Sequence, residues 1–215
     1  MSLAAPAPRV LADVIVRPSS RARAFAVDAV LVAAGAAIVA ALAQVTIPMW
    51  PVPMTGQTLG VLLVGAALGA GRGATSMALY AALALAGLPV VAPQTDGSHI
   101  TGLALLATPS FGYIVGFVLA AAVVGWLAAR RWDRRVPRAI VAFAAGSVAI
   151  YAVGLPWLAV VLANLGVAQG DLLATTLSAG LVPFVLGDIV KALVAAALLP
   201  LAWKGVRAAD AAARD

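Results

Sequence analysis

The sequence predicts an all-α integral membrane protein, a bundle of six transmembrane helices with the N- and C-termini both cytoplasmic. Three observations lead there. Of its 215 residues 64% are hydrophobic and 10% charged, against roughly 45–50% apolar and about 25% charged in an ordinary soluble domain. Apolar stretches recur at residues 25–45, 57–71, 74–88, 111–129, 139–165 and 175–203, to be compared with the roughly 20 residues that carry a helix across a bilayer. The basic residues are also sided, and six spans place every arginine on one side.

That sidedness organises the chain. An N-terminal tail, residues 1–24, carries Arg9, Arg17, Arg21 and Arg23 with no continuous apolar core and no small-residue cleavage site, so it reads as a cytoplasmic tail rather than a secretory leader. The membrane domain covers residues 25–204 and a second cytoplasmic tail covers 205–215. Arg72, the loop from Arg130 to Arg138, and Lys204, Arg207 and Arg214 fall on the same side as the first tail. The loops at 46–56, 89–110 and 166–171 hold no Lys or Arg and face outward. The net charge of +6 is thereby accounted for by topology and headgroup contacts with membrane lipids, without a nucleic-acid partner.

Taken in order, the first span is rich in small residues, with Ala33, Ala36, Ala37 and Ala40 near four-residue spacing. In lipid, helices associate through close van der Waals contact, so such a stripe packs either inside the bundle or on another protein. The second and third spans meet at Gly69, Gly71, Arg72 and Gly73 with almost no loop, which predicts an antiparallel hairpin whose turn uses glycine's backbone freedom. Both spans are short for a bilayer. The fifth is long, and Gly154 with Pro156 predicts a break within it.

Three loops and spans carry candidate chemistry. The stretch from Ile47 to Thr58 holds Pro48, Pro51 and Pro53, which fix φ and push their preceding residues toward extended geometry. It is therefore a stiff flap in which Met49, Trp50 and Met54 form a lid over an apolar ligand and Thr55 and Gln57 supply hydrogen bonds. Trp50 is equally an interfacial aromatic anchor. The loop at 89–110 is long enough to carry short extra structure or serve as a lid, with Gln94, Asp96, Ser98, His99 and Thr101 in its polar middle. Tyr113, and Tyr151, Trp157 and Asn164 after it, either line a pocket or pack the bundle.

The most informative segment is Pro183 to Lys191, PFVLGDIVK, inside the sixth span. A charge at a helix centre in the membrane costs about 2.5–3.5 kcal/mol on insertion scales. Asp188 and Lys191 are three residues apart and share a helix face, so the pair offers one acceptor and one donor to a single small polar group; a self-neutralising ion pair is the alternative.

Enzyme classes fail for lack of parts. The chain has no cysteine, no glutamate and one histidine, and contains no HExxH, G-x-S-x-G or Walker A sequence. No catalytic residue, metal or cofactor is expected, and any ATP-driven step belongs to another chain.

The segments IPMWPVPMTGQTLGVLLVGAALGAGRG, YAALALAGLPVVAP, FGYIVGF, YAVGLPW and PFVLGDIVK follow one another along the chain. In this order they resemble the BioY family, the biotin-binding S components of energy-coupling-factor (ECF) vitamin transporters. The resemblance implies a multi-pass protein of the bacterial cytoplasmic membrane that captures biotin from outside. It also implies docking on a transmembrane coupling subunit with two ATP-binding-cassette (ABC) ATPases. Carried over residue by residue, it puts Asp188 and Lys191 at the polar end of biotin, with Gln57, Thr55 and Tyr113 in the pocket. The alanine stripe Ala33, Ala36, Ala37 and Ala40 would face the coupling subunit. An S component for another vitamin and a self-sufficient secondary transporter are the alternatives.

Overall fold

In the computed structural model, which describes residues 10–15, 20–167 and 170–212, the long apolar runs are helical. Arg9, Arg17 and Arg214 lie outside the described residues. A single turn, α1 (Ala12–Ile15), precedes α2 (Arg21–Ala43), whose first turn is capped by the Ser20 hydroxyl accepting from the Arg23 N–H at 3.3 Å. A two-stranded hairpin, β1 (Thr46–Ile47) and β2 (Met54–Thr55), leads into α3 (Gln57–Leu68) and α4 (Ala70–Leu85). Next come α5 (Phe111–Ala129), α6 (Val136–Asn164), α7 (Leu172–Gly180) and α8 (Val182–Ala212). Short 3₁₀ turns at Gly102–Ala107 and Trp132–Arg134 lie in the loops before and after α5.

α5 is the central element, packed on α3, α4 and α6, while α2 covers α3 and α4, and α8 covers α3 and α6. The α3–α4 turn is as tight as the glycines predict: one residue, Gly69, with φ 86°, a conformation that only glycine enters without strain. The turn lies directly on α5, where a Cβ on Gly125 would sit 2.3 Å from the Ala70 nitrogen. One core cluster, including Tyr80, Met77, Phe117 and Leu158, fills the end of the bundle near β1–β2, and a second, including Leu62, Phe143, Val124 and Trp203, fills the other end.

Among the described residues, four segments are long and apolar enough to cross a membrane: α2, α5, α6 and the run Leu172–Val206 across α7 and α8. At about 1.5 Å per residue, the 12 residues of α3 and 16 of α4 are shorter than the roughly 30 Å hydrocarbon core.

Three expectations need correction. α6 runs unbroken from Val136 to Asn164 with Pro156 inside it; neighbouring helices hold its backbone where the missing N–H leaves one carbonyl without its helical partner. The break falls instead in the sixth span, at Leu181 (φ −124°, ψ −58°) between α7 and α8. Pro183 stands in the first turn of α8, where an N–H has no helical acceptor anyway, and the Phe184 N–H reaches back to the Leu181 carbonyl at 3.0 Å. The PFVLGDIVK segment therefore occupies the first turns of α8 rather than the middle of a helix. Lastly, the alanine stripe of α2 is split: Ala36 is buried, Ala40 half-buried, and Ala33 and Ala37 exposed.

The charged end is held together by chain-distant contacts. Arg72 of α4 pairs with Asp28 of α2 at 2.7 Å and with Asp13 of α1 at 2.9 Å, and Trp203 of α8 donates to Asp133 of the α5–α6 loop. Arg72, the loop from Arg130 to Arg138, and Lys204 thus share one end of the bundle.

Candidate ligand-binding site

At the opposite end lies a cavity of about 540 Å³, within the range of ligand pockets. Its wall draws on the β1–β2 hairpin, the loop between α4 and α5, and the facing sides of α3, α5, α6 and α8. The hairpin forms because its prolines sit at the tip, outside the ladder, while Thr46 pairs with Thr55 and Ile47 with Met54. The Trp50–Pro51 peptide is cis. The long loop is tied to α2 by Gln44, whose amide donates to the Val91 carbonyl at 3.4 Å and whose Oε1 meets His99 Nε2 at 3.2 Å.

The polar end of the cavity is a four-residue network. Lys191 Nζ donates to Thr58 Oγ1 at 2.9 Å and to Asp188 Oδ1 at 3.3 Å. The Thr58 hydroxyl donates in turn to Asp188 Oδ1 at 3.4 Å, and the Tyr151 hydroxyl makes a short bond to Asp188 Oδ2. The side chains of Lys191 and Asp188 are 16% and 12% exposed, so neither charge is solvated as it would be in water. The ammonium has three donors and uses two on these partners; the carboxylate has about four acceptor sites and receives three bonds. One N–H of Lys191 and one lone pair, on Asp188 Oδ2, remain for a ligand that offers both an acceptor and a donor.

Gln57 and Thr55 anchor the flap to the bundle. Gln57 Nε2 donates to the Tyr80 hydroxyl at 2.6 Å, and Thr55 Oγ1 donates to Gln57 Oε1 at 2.8 Å. Much of the remaining wall is apolar, with Ile114, Phe117, Ile150, Phe184 and Val52, and Gln94, Thr95, Thr108 and Ser110 add polar groups from the loop before α5.

Of the side chains singled out in the sequence, the cavity brings together Asp188, Lys191, Gln57, Thr55, Tyr113, Tyr151, Gln94, Met49 and Trp50. Trp157 and Met54 are not on its wall. The Trp157 indole faces the loop before α5, donating to the Thr108 carbonyl at 3.0 Å and meeting Phe111 edge to face at 5.5 Å, so it fixes the cavity's rim from behind. Met54 is half-buried in β2 with its sulfur over Gly187 of α8, bracing the hairpin against that helix instead of covering the chamber. Thr58 and Tyr80 were not singled out, although each stands in a quoted motif; what marks them is a partner far along the chain, which local sequence does not display.

Fold and cavity together define a multi-pass helical membrane protein with a ligand-sized chamber at one end. Residues 16–208 match the BioY family. The chain is 36% identical over 181 residues to the biotin transporter BioY of Rhizobium etli, covering 80% of this chain and 90% of that one. It is 39% identical over 171 residues to the biotin transporter BioY of Rhodobacter capsulatus, covering 74% and 84%. A crystal structure of the S-component for biotin from an ECF-type ABC transporter superposes with a TM-score of 0.67 over 87% of this chain and 95% of that chain, at 23% identity, which shows the shared fold. The chain belongs to the BioY family.

Proposed function

We propose that this chain binds biotin and carries it across the bacterial cytoplasmic membrane as the substrate-specific component of an ECF-type ABC transporter. The observation that carries the reading is the Thr58–Tyr151–Asp188–Lys191 network at the head of a largely apolar cavity. Its spare N–H and lone pair match the carbonyl and N–H of a ureido ring, and the apolar wall suits a fused sulfur ring and an alkyl chain. The carboxylate then points toward the neutral donors of the loop between α4 and α5, near Gln94. The names of the relatives, all biotin transporters, support the same ligand.

In this reading α3 and α4 complete six spans, both termini are cytoplasmic, and the cavity opens outward. Residues 25–204 are the membrane domain between two short cytoplasmic tails. The chain is a carrier and not an enzyme, and it needs no cofactor. It lacks a Walker A sequence, so ATP hydrolysis falls to a transmembrane coupling subunit and two ABC ATPases. The exposed small residues Ala33 and Ala37 on α2 offer that subunit a surface for close helix contact.

Saturation binding of labelled biotin to the purified chain tests the reading. Tight binding that Lys191→Ala weakens and that riboflavin and thiamine do not displace is the expected result; displacement by either vitamin would reassign the ligand. The Asp188–Lys191 pair would also suit an ion-coupled carrier, so biotin uptake into vesicles that contain this chain without ATPases would favour a self-sufficient transporter.

A further inference from the structure

The charged end of the bundle holds a second concave site. Arg131, Arg134, Arg135 and Arg138 line a cleft of about 370 Å³ between the end of α5 and the start of α6. The loop around it, residues 130–138, carries five arginines and a single acid, Asp133. That acid is buried, bonded to the Trp203 indole of α8 and absent from the cleft wall; its charge acts on Arg134 and leaves the loop with a large positive excess. Crowding guanidinium groups costs Coulomb repulsion unless an anion lies among them.

The backbone adds to the same field. α6 begins at Val136 with Arg135 at its N-cap, and no side chain caps its first turn. The first N–H groups of a helix, of which Pro137 supplies none here, are left without acceptors and carry the positive end of its dipole. The loop is also rigidly placed. Arg131 sits in the left-handed region (φ 67°) with its N–H on the Ala128 carbonyl at 2.7 Å, and the buried Asp133–Trp203 bond pins the 3₁₀ turn to α8. Arg134 stacks over the Trp203 ring at 4.0 Å and Arg130 over the Trp126 ring at 3.3 Å.

We infer that this cleft binds the phosphodiester headgroup of an anionic phospholipid such as phosphatidylglycerol. Guanidinium forks match phosphate oxygens bidentately, and an uncapped helix start is a phosphate site. A lipid, rather than a soluble phosphate, is indicated by the surroundings. The cleft lies between the ends of two membrane-crossing helices, and beside it Trp126, Val136 and Val141 are 52%, 44% and 54% exposed. Such a surface accommodates acyl chains below a bound headgroup. The inference is independent of the ligand proposed for the cavity.

The test is native mass spectrometry of the detergent-purified chain titrated with phosphatidylglycerol or phosphatidylcholine at equal concentration. Phosphatidylglycerol adducts should form at about tenfold lower lipid concentration, equivalent to at least one charge-assisted hydrogen bond, and millimolar inorganic phosphate should not displace them. Arg135→Gln with Arg138→Gln should bring the two lipids to parity, whereas Arg21→Gln with Lys204→Gln, at the same end but off the cleft, should leave the preference intact. Equal binding of both lipids by the unmutated chain would overturn the site, a readout that needs no variant to fold. So would displacement by phosphate, or equal loss in the control variant, which would reduce the effect to diffuse surface charge.

Discussion

The Tyr113 hydroxyl of α5 donates to the carbonyl of Gly180 at 2.9 Å, at the point where α7 ends and α8 has not begun. The ring is enclosed on both sides. A Cβ on Gly154 would lie 2.6 Å from the ring and one on Gly180 2.5 Å from the hydroxyl. Tyr113 thus satisfies a carbonyl exposed by the helix break and fixes the direction in which α8 leaves it, with Asp188 and Lys191 two to three turns on. Tyr113→Phe leaves that buried carbonyl unpaired, which costs about 1–3 kcal/mol. It is expected to lower the unfolding temperature and weaken biotin binding together. A variant with lowered stability but unchanged affinity would confine Tyr113 to holding the bundle.

Thr58 connects α3 to the charged pair in a way no local pattern displays. Its hydroxyl receives from Lys191 and gives to Asp188, so Thr58→Val, similar in shape, removes both bonds at once and leaves two half-buried charges each short of a partner. A loss of about 1–3 kcal/mol in biotin binding is expected, equivalent to roughly five- to 150-fold in Kd. Because both side chains serve one network, adding Thr58→Val to Lys191→Met should cost clearly less than the sum of the two single changes. Additive effects in that double-mutant cycle would show that Thr58 and Lys191 act on the ligand separately.

The contrast between these residues explains what could be read in advance. Long apolar runs, the glycine turn at Gly69 and the proline-rich hairpin are dictated within a few residues, and the structure follows them. Where two segments offer similar breakers, Gly154 with Pro156 and Gly180 with Pro183, the outcome depends on which carbonyl finds an outside donor. Tyr113 serves Gly180, 67 residues away, and the break forms there. Asp188 and Lys191 stand out because charge in an apolar helix is costly, whereas Thr58 and Tyr80 are ordinary residues made significant by contacts 133 and 23 residues distant.

Asp133, outside the spans, gives the bundle a pH-sensitive joint. Burial raises its carboxyl above the ordinary value of 3.8, against the opposing pull of the Trp203 bond and the Arg134 charge. The folded chain therefore holds this proton more tightly than the unfolded chain. Stability falls as pH rises from 3.8 through the raised value, and the penalty is complete above it. Asp133→Asn still accepts from Trp203 but has no proton to lose. It is expected to unfold at a higher temperature than the unmutated chain at pH 7, with the difference shrinking as pH approaches 4. A variant less stable at pH 7 would mean that attraction to the neighbouring arginines outweighs the burial.

The split alanine stripe allows folding to be tested apart from the proposed partner contact. Each residue turns the helix by about 100°, so Ala36 and Ala33 point about 60° apart, and Ala37 lies about 40° further from Ala36 beyond Ala33. The burial follows that order: Ala36 is 2% exposed against the core, Ala40 is half-buried, and Ala33 and Ala37 face outward. Ala36→Leu forces extra volume into a packed site, at a cost of about 1–3 kcal/mol, and should lower stability and biotin binding alike. Ala33→Leu and Ala37→Leu add volume only to the outer face. They are expected to leave biotin affinity and unfolding temperature unchanged while reducing ATP-driven uptake by the assembled transporter, because close helix approach needs small side chains. Binding to the isolated chain and uptake in vesicles holding the whole assembly would be measured on the same three variants. If uptake persists in the Ala33 and Ala37 variants, the coupling subunit docks on another face of the bundle, and the exposed alanines simply meet lipid.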